Sequence, residues 1–184
     1  YKLLMHPTNP SILFVASNLG IFRTTDGGTS WTNPYVGDTF YDLEFNPADP
    51  AMIYASGTTS SDVIVLRSGN TGQTFLHAFT TTKVPDADNN NSANRSALGV
   101  SAANSNYVYL LLGPATAEGS FHGFYRSTDN ATNFTLRTST PNILGGSSYG
   151  NDDKDQEGYD LAISVSPTDV GKVASGGIRL WTTT

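Results

Sequence analysis

The stretch that decides the fold is Gly20-Ile21-Phe22-Arg23-Thr24-Thr25-Asp26-Gly27-Gly28-Thr29-Ser30-Trp31. A short apolar strand runs into hydroxyl side chains, an acidic residue and glycines follow, and a tryptophan closes the stretch. The same order of residue types recurs at 68–75 and at 127–134. A turn that returns at one fixed place after a strand indicates an internal repeat, and a repeat constrains the whole fold.

The residue types in this repeated turn (residues 24–31, 68–75 and 127–134) have a physical explanation. A carboxylate or amide two residues after the strand accepts hydrogen bonds from N–H groups of the turn. Glycine adopts positive φ without steric cost, and the closing aromatic side chain buries a large apolar area. These positions are occupied by Asp26, Gly28 and Trp31, by Asn70, Gly72 and Phe75, and by Asp129 and Phe134. The third turn has Ala131 in place of glycine, so we expect Asn130 or a distorted turn to absorb the strain.

The turns belong to longer units that share one order of short apolar strands. No stretch keeps a 3.6-residue apolar period, and Gly or Pro interrupts nearly every ten residues, so helices are not expected. Four short antiparallel strands in about 40 residues make the blade of a β-propeller. A β-sandwich is the alternative, but it has no reason to repeat one turn. The predicted fold is therefore all-β, a β-propeller of four-stranded antiparallel blades at residues 1–34, 40–80, 97–138 and 160–184, the last one truncated.

About four blades are fewer than we expect in a closed ring of this kind. An isolated arc of blades leaves sheet edges unpaired and one apolar flank uncovered. We therefore expect the chain to be part of a larger propeller, in which it packs against the remaining blades of the same protein. A genuine four-bladed ring is the alternative.

The repeated turn resembles the Asp-box, also called the bacterial neuraminidase repeat, which is found in sialidases, sortilin, xyloglucanases and many secreted bacterial proteins. The first unit is similar to blades of sortilin-like and xyloglucanase-like propellers. Residues 158–167 resemble a segment of secreted Bacteroidota proteins that are exported by type IX secretion. The resemblance implies the fold but little about activity, because the Asp-box occurs in enzymes, receptors and assembly factors alike.

Composition narrows the partners and the compartment. The 184 residues contain no cysteine, which excludes a disulfide framework and thiol chemistry. A formal net charge of −6 disfavours nucleic acid as a ligand. The longest apolar runs, residues 12–16 and 107–112, are far shorter than the roughly 18 residues that a transmembrane helix needs. Few lysines and many Ser, Thr and Asn residues favour a secreted or cell-surface protein of bacterial origin.

The long insertions point to a recognition surface. In antiparallel blades, alternate connections share one end of the sheet, and the insertions at 80–96, 113–122 and 138–159 all fall on the same end. Long loops on a rigid scaffold often carry recognition. The candidate binding residues on this end are Asp86, Asp88, Asn90, His122, Tyr149 and Tyr159. The expected ligand is a protein or a glycan.

Catalytic motifs are sparse in this sequence. No Gly-x-Ser-x-Gly elbow is present. Arg23, Arg67, Arg126 and Arg179 are interpreted as third-strand equivalents, which indicates blade structure and no cluster for a substrate carboxylate. The predicted function is a non-catalytic binding or scaffold propeller. The alternative is a fragment of a glycoside hydrolase of xyloglucanase or sialidase type, which needs two carboxylates. Asp155, Glu157 or Asp160 could supply one of them.

A calcium site is the last candidate. Asp153, Asp155 and Glu157 stand at positions 1, 3 and 5 of a loop with Gly158 at position 6, as in the first half of a calcium-binding loop. Asp160 adds a further carboxylate to this predicted metal site. Position 12 would be Ser164 and not the bidentate glutamate, so a solvated acidic loop is the alternative.

Overall fold

The computed structural model describes residues 1–60, 62–80, 95–113, 121–152 and 157–183, with the side chains of residues 157 and 158 left out. The described residues form fifteen β-strands and one helical turn. The strands are β1 (Lys2–Met5), β2 (Leu13–Ser17), β3 (Gly20–Thr24), β4 (Thr32–Val36), β5 (Thr39–Phe45), β6 (Ile53–Thr58), β7 (Val63–Ser68), β8 (Leu76–Thr80), β9 (Ser96–Val100), β10 (Val108–Leu112), β11 (Gly123–Ser127), β12 (Thr135–Thr138), β13 (Ala162–Val165), β14 (Val173–Gly176) and β15 (Leu180–Thr182).

The strands pair in chain order into four antiparallel sheets, which we call blades 1 to 4. Blade 1 is β1–β4, blade 2 is β5–β8, blade 3 is β9–β12, and blade 4 contains β13–β15 among the described residues. Short connections between successive strands allow this meander, because antiparallel neighbours need no crossover. The helical turn, α1 (Glu157–Asp160), precedes β13 and departs from the expectation of no helices. No helix in the described ranges is long and apolar enough to cross a membrane.

Alternation along the strands gives each blade two faces. In blade 1 the register aligns Leu4 with Phe14 and Ala16 with Ile21. These side chains lie on one face and belong to an apolar cluster with Leu43 of blade 2. Because side chains alternate between faces along a strand, blade 1 offers an apolar face to blade 2.

The same packing recurs at the next two contacts between blades, which we call seams. Tyr54 and Val65 of blade 2 share an apolar cluster with Leu98 of blade 3. Tyr109 and Phe124 of blade 3 share another cluster with Val173 of blade 4. Burial of these faces supplies the main stabilisation, at roughly 25 cal/mol per Å² of apolar surface removed from water. The four sheets therefore follow one another face to face in chain order.

The seam between blades 1 and 2 brings Phe14 against Gly72 of the second repeated turn. Gly72 has a φ of +68°, and a Cβ at this position would overlap the Phe14 ring. Phe14 itself is fully buried. Gly72 is thus required both by its backbone conformation and by the closeness of the aromatic ring.

We predict that Gly72→Ala lowers the free energy of unfolding by about 2–4 kcal/mol, since it adds left-handed strain and an overpacked contact. The matched control is Gly69→Ala in the same turn, because a Cβ at Gly69 meets no atom within 4 Å. The control is expected to change stability by less than about 0.5 kcal/mol. Urea denaturation of both variants measures the difference, and equal stabilities would contradict this account of Gly72.

Candidate functional site

The two ends of the blades are built differently. The repeated turns lie beside the connections between first and second strands, since the N–H of Gly27 donates to the Ser11 carbonyl (3.0 Å) and that of Thr71 to the Ala51 carbonyl (2.8 Å). We call this the turn end. The connections between second and third strands, and those between blades, leave from the opposite end, which we call the loop end. This division follows the prediction from strand order.

The first repeated turn is held together by one hydroxyl and one carboxylate. The Thr24 hydroxyl donates to Asp26 Oδ1 (2.7 Å) and accepts from the N–H of Gly28 (3.0 Å). The Ser30 N–H donates to Asp26 Oδ1 (2.9 Å) and its hydroxyl donates to Asp26 Oδ2 (2.5 Å). Both oxygens of the carboxylate are thus occupied by groups of its own turn.

The other two turns repeat this pattern with different residues. Ser68 and Asn70 take the places of Thr24 and Asp26, and the N–H of Thr74 donates to Asn70 Oδ1 (3.0 Å). In the third turn the N–H of Asn133 donates to Asp129 Oδ1 (2.9 Å). An amide serves as well as a carboxylate here, because the essential group is the acceptor oxygen at this place.

Each turn contains two successive residues with positive φ. These are Gly27 and Gly28, Thr71 and Gly72, and Asn130 and Ala131, the last two at +58° and +63°. The expectation that Asn130 or a distorted turn would relieve Ala131 is therefore wrong in part: both residues adopt the left-handed conformation. Ala131 is fully buried in the seam between blades 2 and 3, and its packing offsets the steric cost of its backbone.

The closing aromatic side chains are buried to different extents. Phe75 is 8% exposed and lies in the apolar cluster between blades 1 and 2. Phe134 packs against Phe79, with ring centroids 4.9 Å apart. Trp31 is 40% exposed and donates its indole N–H to the Gly28 carbonyl (3.1 Å). The Trp31 side chain therefore stabilises the turn to which it belongs.

These hydrogen bonds change the acidity of the turn carboxyl groups. Hydrogen bonds from Ser30, followed by that from Thr24, lower the pKa of Asp26 to about 2. Hydrogen bonds from the side chain and backbone of Asn133 lower the pKa of Asp129 to about 2. A general acid in glycoside hydrolysis needs a raised pKa. The environment of these turns therefore favours the structural role expected for Asp26 and Asp129.

The arginines of the third strands connect neighbouring blades. Arg23 of blade 1 donates through Nε to the Thr71 carbonyl of blade 2 (2.8 Å). Arg67 of blade 2 donates through Nη1 to the Asn130 carbonyl of blade 3 (3.2 Å). The assignment of Arg179 to this series is wrong, because the pairing of β14 with β15 puts Thr182 at the equivalent position. Arg179 instead donates to the Gly146 carbonyl.

The structure describes three of the predicted binding residues at the loop end, and they differ in burial. Tyr149 and Tyr159 are 81% and 87% exposed. His122 is buried beside Tyr125, whose hydroxyl lies 3.4 Å from His122 Nδ1. Asp86, Asp88 and Asn90 lie outside the described residues. Exposed aromatic rings are thus the only feature of this predicted surface that the described residues display.

The predicted calcium loop falls mostly outside the described residues, which include neither Asp153 nor Asp155 nor the Glu157 side chain. Asp160 is exposed at the end of α1. Within the described ranges no three acidic or histidine side chains come together as a metal site would require. The calcium site stays a prediction.

Sequence reasoning missed a polar cluster on the first strands of the blades. Lys2 donates to Asp42 Oδ1 and to Glu44 Oε1, both at 2.6 Å, and the N–H of Leu98 donates to Asp42 Oδ2 (2.7 Å). The cluster borders a depression of about 250 Å³ that also touches Tyr1 and Tyr41. No local motif could have identified it, because the partners lie on three different blades.

Burial and charge act in opposite directions within this cluster. Burial alone would lower the pKa of Lys2, but the carboxylates of Asp42 and Glu44 raise it overall. Burial raises the pKa of Glu44, and the Lys2 charge opposes that rise. Lys2 therefore stays protonated and links blade 1 to blade 2.

Two solved structures are similar to this arrangement of blades. An ancestral GH74 enzyme is 19% identical with a TM-score of 0.63, over 96% of this chain and 22% of its own. The GH74 xyloglucanase from Xanthomonas campestris is 18% identical with a TM-score of 0.66, over 98% of this chain and 28% of its own. The fold is a β-propeller. At this identity the likeness shows the fold alone.

The chain spans about a quarter of the length of these two propeller enzymes. No protein-family model and no curated protein matches the sequence.

The lowered pKa values give a prediction about acid stability. A carboxyl group with a folded-state pKa of about 2 and an ordinary value of 3.8 stabilises the fold above about pH 4. This contribution is lost as the pH falls through about 2. The double variant Asp26→Asn, Asp129→Asn lacks both titrations, so we expect its melting temperature to fall less than that of the parent chain between pH 4 and pH 2.

Thermal melts monitored by circular dichroism between pH 2 and pH 7 test this. Asp160→Asn, at an exposed position outside the turns, is the control and should follow the parent profile. If the double variant and the parent chain lose stability in parallel over this range, the turn carboxylates do not contribute as described.

Proposed function

We propose that this chain is part of a propeller of glycoside hydrolase type that acts on a polysaccharide of the β-glucan class. The support is the likeness of nearly the whole chain to two GH74 propellers, one of which is named a xyloglucanase. A fold alone does not specify activity. The proposal therefore also needs a surface suited to sugars and a source of acid and base groups.

The surface suited to sugars is the loop end. Tyr149 and Tyr159 present exposed rings there, and the C–H face of a pyranose removes apolar surface from water when it packs on such a ring. An extended polysaccharide gains from several such contacts along one face. We assign the two tyrosines to sugar contact within this proposal.

The described carboxylates argue against catalysis by this part of the propeller alone. Asp26 and Asp129 are held in their turns, and Asp42 accepts from Lys2 and Leu98. Asp152 accepts through Oδ2 from the N–H groups of Gly146 and Ser147, while its Oδ1 is buried without a hydrogen-bond partner among the described residues. A hydrolase needs a pair of carboxyl groups across the scissile bond. Asp160, which is exposed, stays the described candidate for one of the two groups, and we assign the other to a residue outside the described part of the chain.

A second candidate is the non-catalytic binding or scaffold propeller. The observation in its favour is the same occupation of the Asp26, Asp42 and Asp129 carboxylates by donors of their own chain. In either case we propose a location outside the cell, where such polysaccharides are found, together with an Asp-box identity for the repeated turns. Both remain proposals that rest on sequence resemblance and composition.

Hydrolysis and binding can be measured separately on the full-length protein. Release of reducing ends from xyloglucan, mixed-linkage β-glucan and a sialoside panel tests activity. We expect hydrolysis of a β-glucan and no release from the sialosides. Retention in affinity gels without hydrolysis would favour the second candidate, and neither activity nor retention would contradict both.

The role of the tyrosines is tested by Tyr149→Ala and Tyr159→Ala in the same gels. Each is expected to weaken polysaccharide binding about tenfold, equivalent to about 1.4 kcal/mol. Leu76→Ala is the control, because Leu76 is also an exposed apolar side chain but begins β8 at the turn end. Equal retention of all three variants would remove the tyrosines from the proposed surface.

A further inference from the structure

The second and third repeated turns each contain one residue that is held from two sides. We call it the latch residue: Thr71 or Asn130, three positions after the strand-ending serine, at the place that Gly27 takes in the first turn. The carbonyls of Thr71 and Asn130 accept from the third-strand arginine of the preceding blade. Their N–H groups donate to the Ala51 and Asn106 carbonyls of their own blades, at 2.8 and 3.1 Å.

The groups that would hold a further latch residue are present at the seam between blades 3 and 4. Arg126 pairs with Tyr109 in the register in which Arg67 pairs with Tyr54, and its guanidinium lies 5.6 Å above the Tyr107 ring. Gly171 stands two residues before Val173, as Ala51 stands before Ile53. Arg126 and the Gly171 carbonyl are thus the counterparts of the two groups that hold Asn130.

The residue after β15 also reaches this site in the register from which the three repeated turns begin. The N–H of Thr183 donates to the Val173 carbonyl (2.9 Å), so that Thr183 faces Val173 as Ser127 faces Val108. Its hydroxyl donates to the Gly171 carbonyl (2.5 Å). Thr183 therefore occupies the position from which a repeated turn begins in the first three blades.

An apolar crevice of about 220 Å³ lies beside these groups, lined in part by Phe124, Val173 and Trp181. The equivalent positions in the preceding seam are Val65, Val108 and Tyr125, whose cluster includes Phe134, the closing aromatic residue of the third turn. One seam earlier they are Ile21, Ile53 and Leu66, whose cluster includes Phe75. The crevice thus corresponds to the place that an aromatic residue fills in both earlier seams.

We propose that Arg126, the Gly171 carbonyl and this crevice form the docking surface for a fourth repeated turn that enters from Thr183. Its latch residue donates to Gly171 and accepts from Arg126, and its closing aromatic side chain fills the crevice. The occupant is defined by chemistry: a turn with two left-handed residues, a carboxylate or amide acceptor, and a terminal Phe or Trp.

The test extends this chain after Thr183 with a copy of residues 128–138, the third turn and its fourth strand. That turn is suited to the site because it natively packs against Tyr54, the counterpart of Tyr109. We expect the melting temperature to rise by about 4 °C or more. The rise should disappear when alanine replaces the copied Phe134, and Arg126→Ala should remove most of it.

Two comparisons make the result specific. Arg126→Ala in the parent chain should change the melting temperature much less than in the extended chain, and Arg137→Ala, at an exposed position on β12, should change neither. Arg126→Lys keeps the charge without the guanidinium and replaces Arg126→Ala if that variant does not fold. An extended chain that melts with the parent, or a rise that survives both Arg126 variants, would overturn the proposal.

Discussion

The constraint on which the rest of the structure depends is the double attachment of the latch residues Thr71 and Asn130. The N–H of each is bound within its own blade, and its carbonyl is bound by the arginine of the blade before it. A charge-assisted hydrogen bond contributes about 1.5–3 kcal/mol, less than the burial of a whole apolar face. Apolar burial is non-directional, however, and fixes neither distance nor angle. The hydrogen bonds of the latch residues are directional, and they fix the distance and angle between neighbouring blades at the turn end.

A second set of polar contacts links the blades near their first strands. Asp42 accepts from Lys2 of blade 1 and from the Leu98 backbone of blade 3, so that one carboxylate of blade 2 contacts both neighbours. Asn46 adds to this, donating to the Tyr54 hydroxyl and to the Ser105 carbonyl of blade 3. Because an unpartnered buried polar group costs about 1–3 kcal/mol, misaligned blades would lose stability in several places at once. The seams are therefore specified by polar contacts and stabilised mainly by apolar ones.

This division explains what could be predicted from the sequence. The turns were predictable because Thr24, Asp26 and Ser30 are neighbours in the chain and their chemistry is local. The Asp42 cluster was not, since its partners are 40 to 56 residues away. Arg179 was misplaced because strand register depends on pairing between β14 and β15, and sequence spacing alone does not show it. His122 looked like a surface residue because a lone histidine in a loop carries no sign of its burial beside Tyr125.

The variation among the three turns shows which features the fold requires. Asn70 stands where Asp26 and Asp129 stand, so the negative charge is dispensable while the acceptor oxygen is kept. Ala131 stands where the other turns have glycine, so the left-handed backbone is kept although its residue is not. Gly72 could not be exchanged in the same way, because the Phe14 ring occupies the space that a Cβ at residue 72 would need. In the next seam Tyr54 stands in the place of Phe14, and there the Cβ of Ala131 is accommodated in the apolar cluster. The identity of a turn residue is therefore set by the aromatic side chain of the preceding blade, and turn and core positions on opposite sides of a seam have to change together.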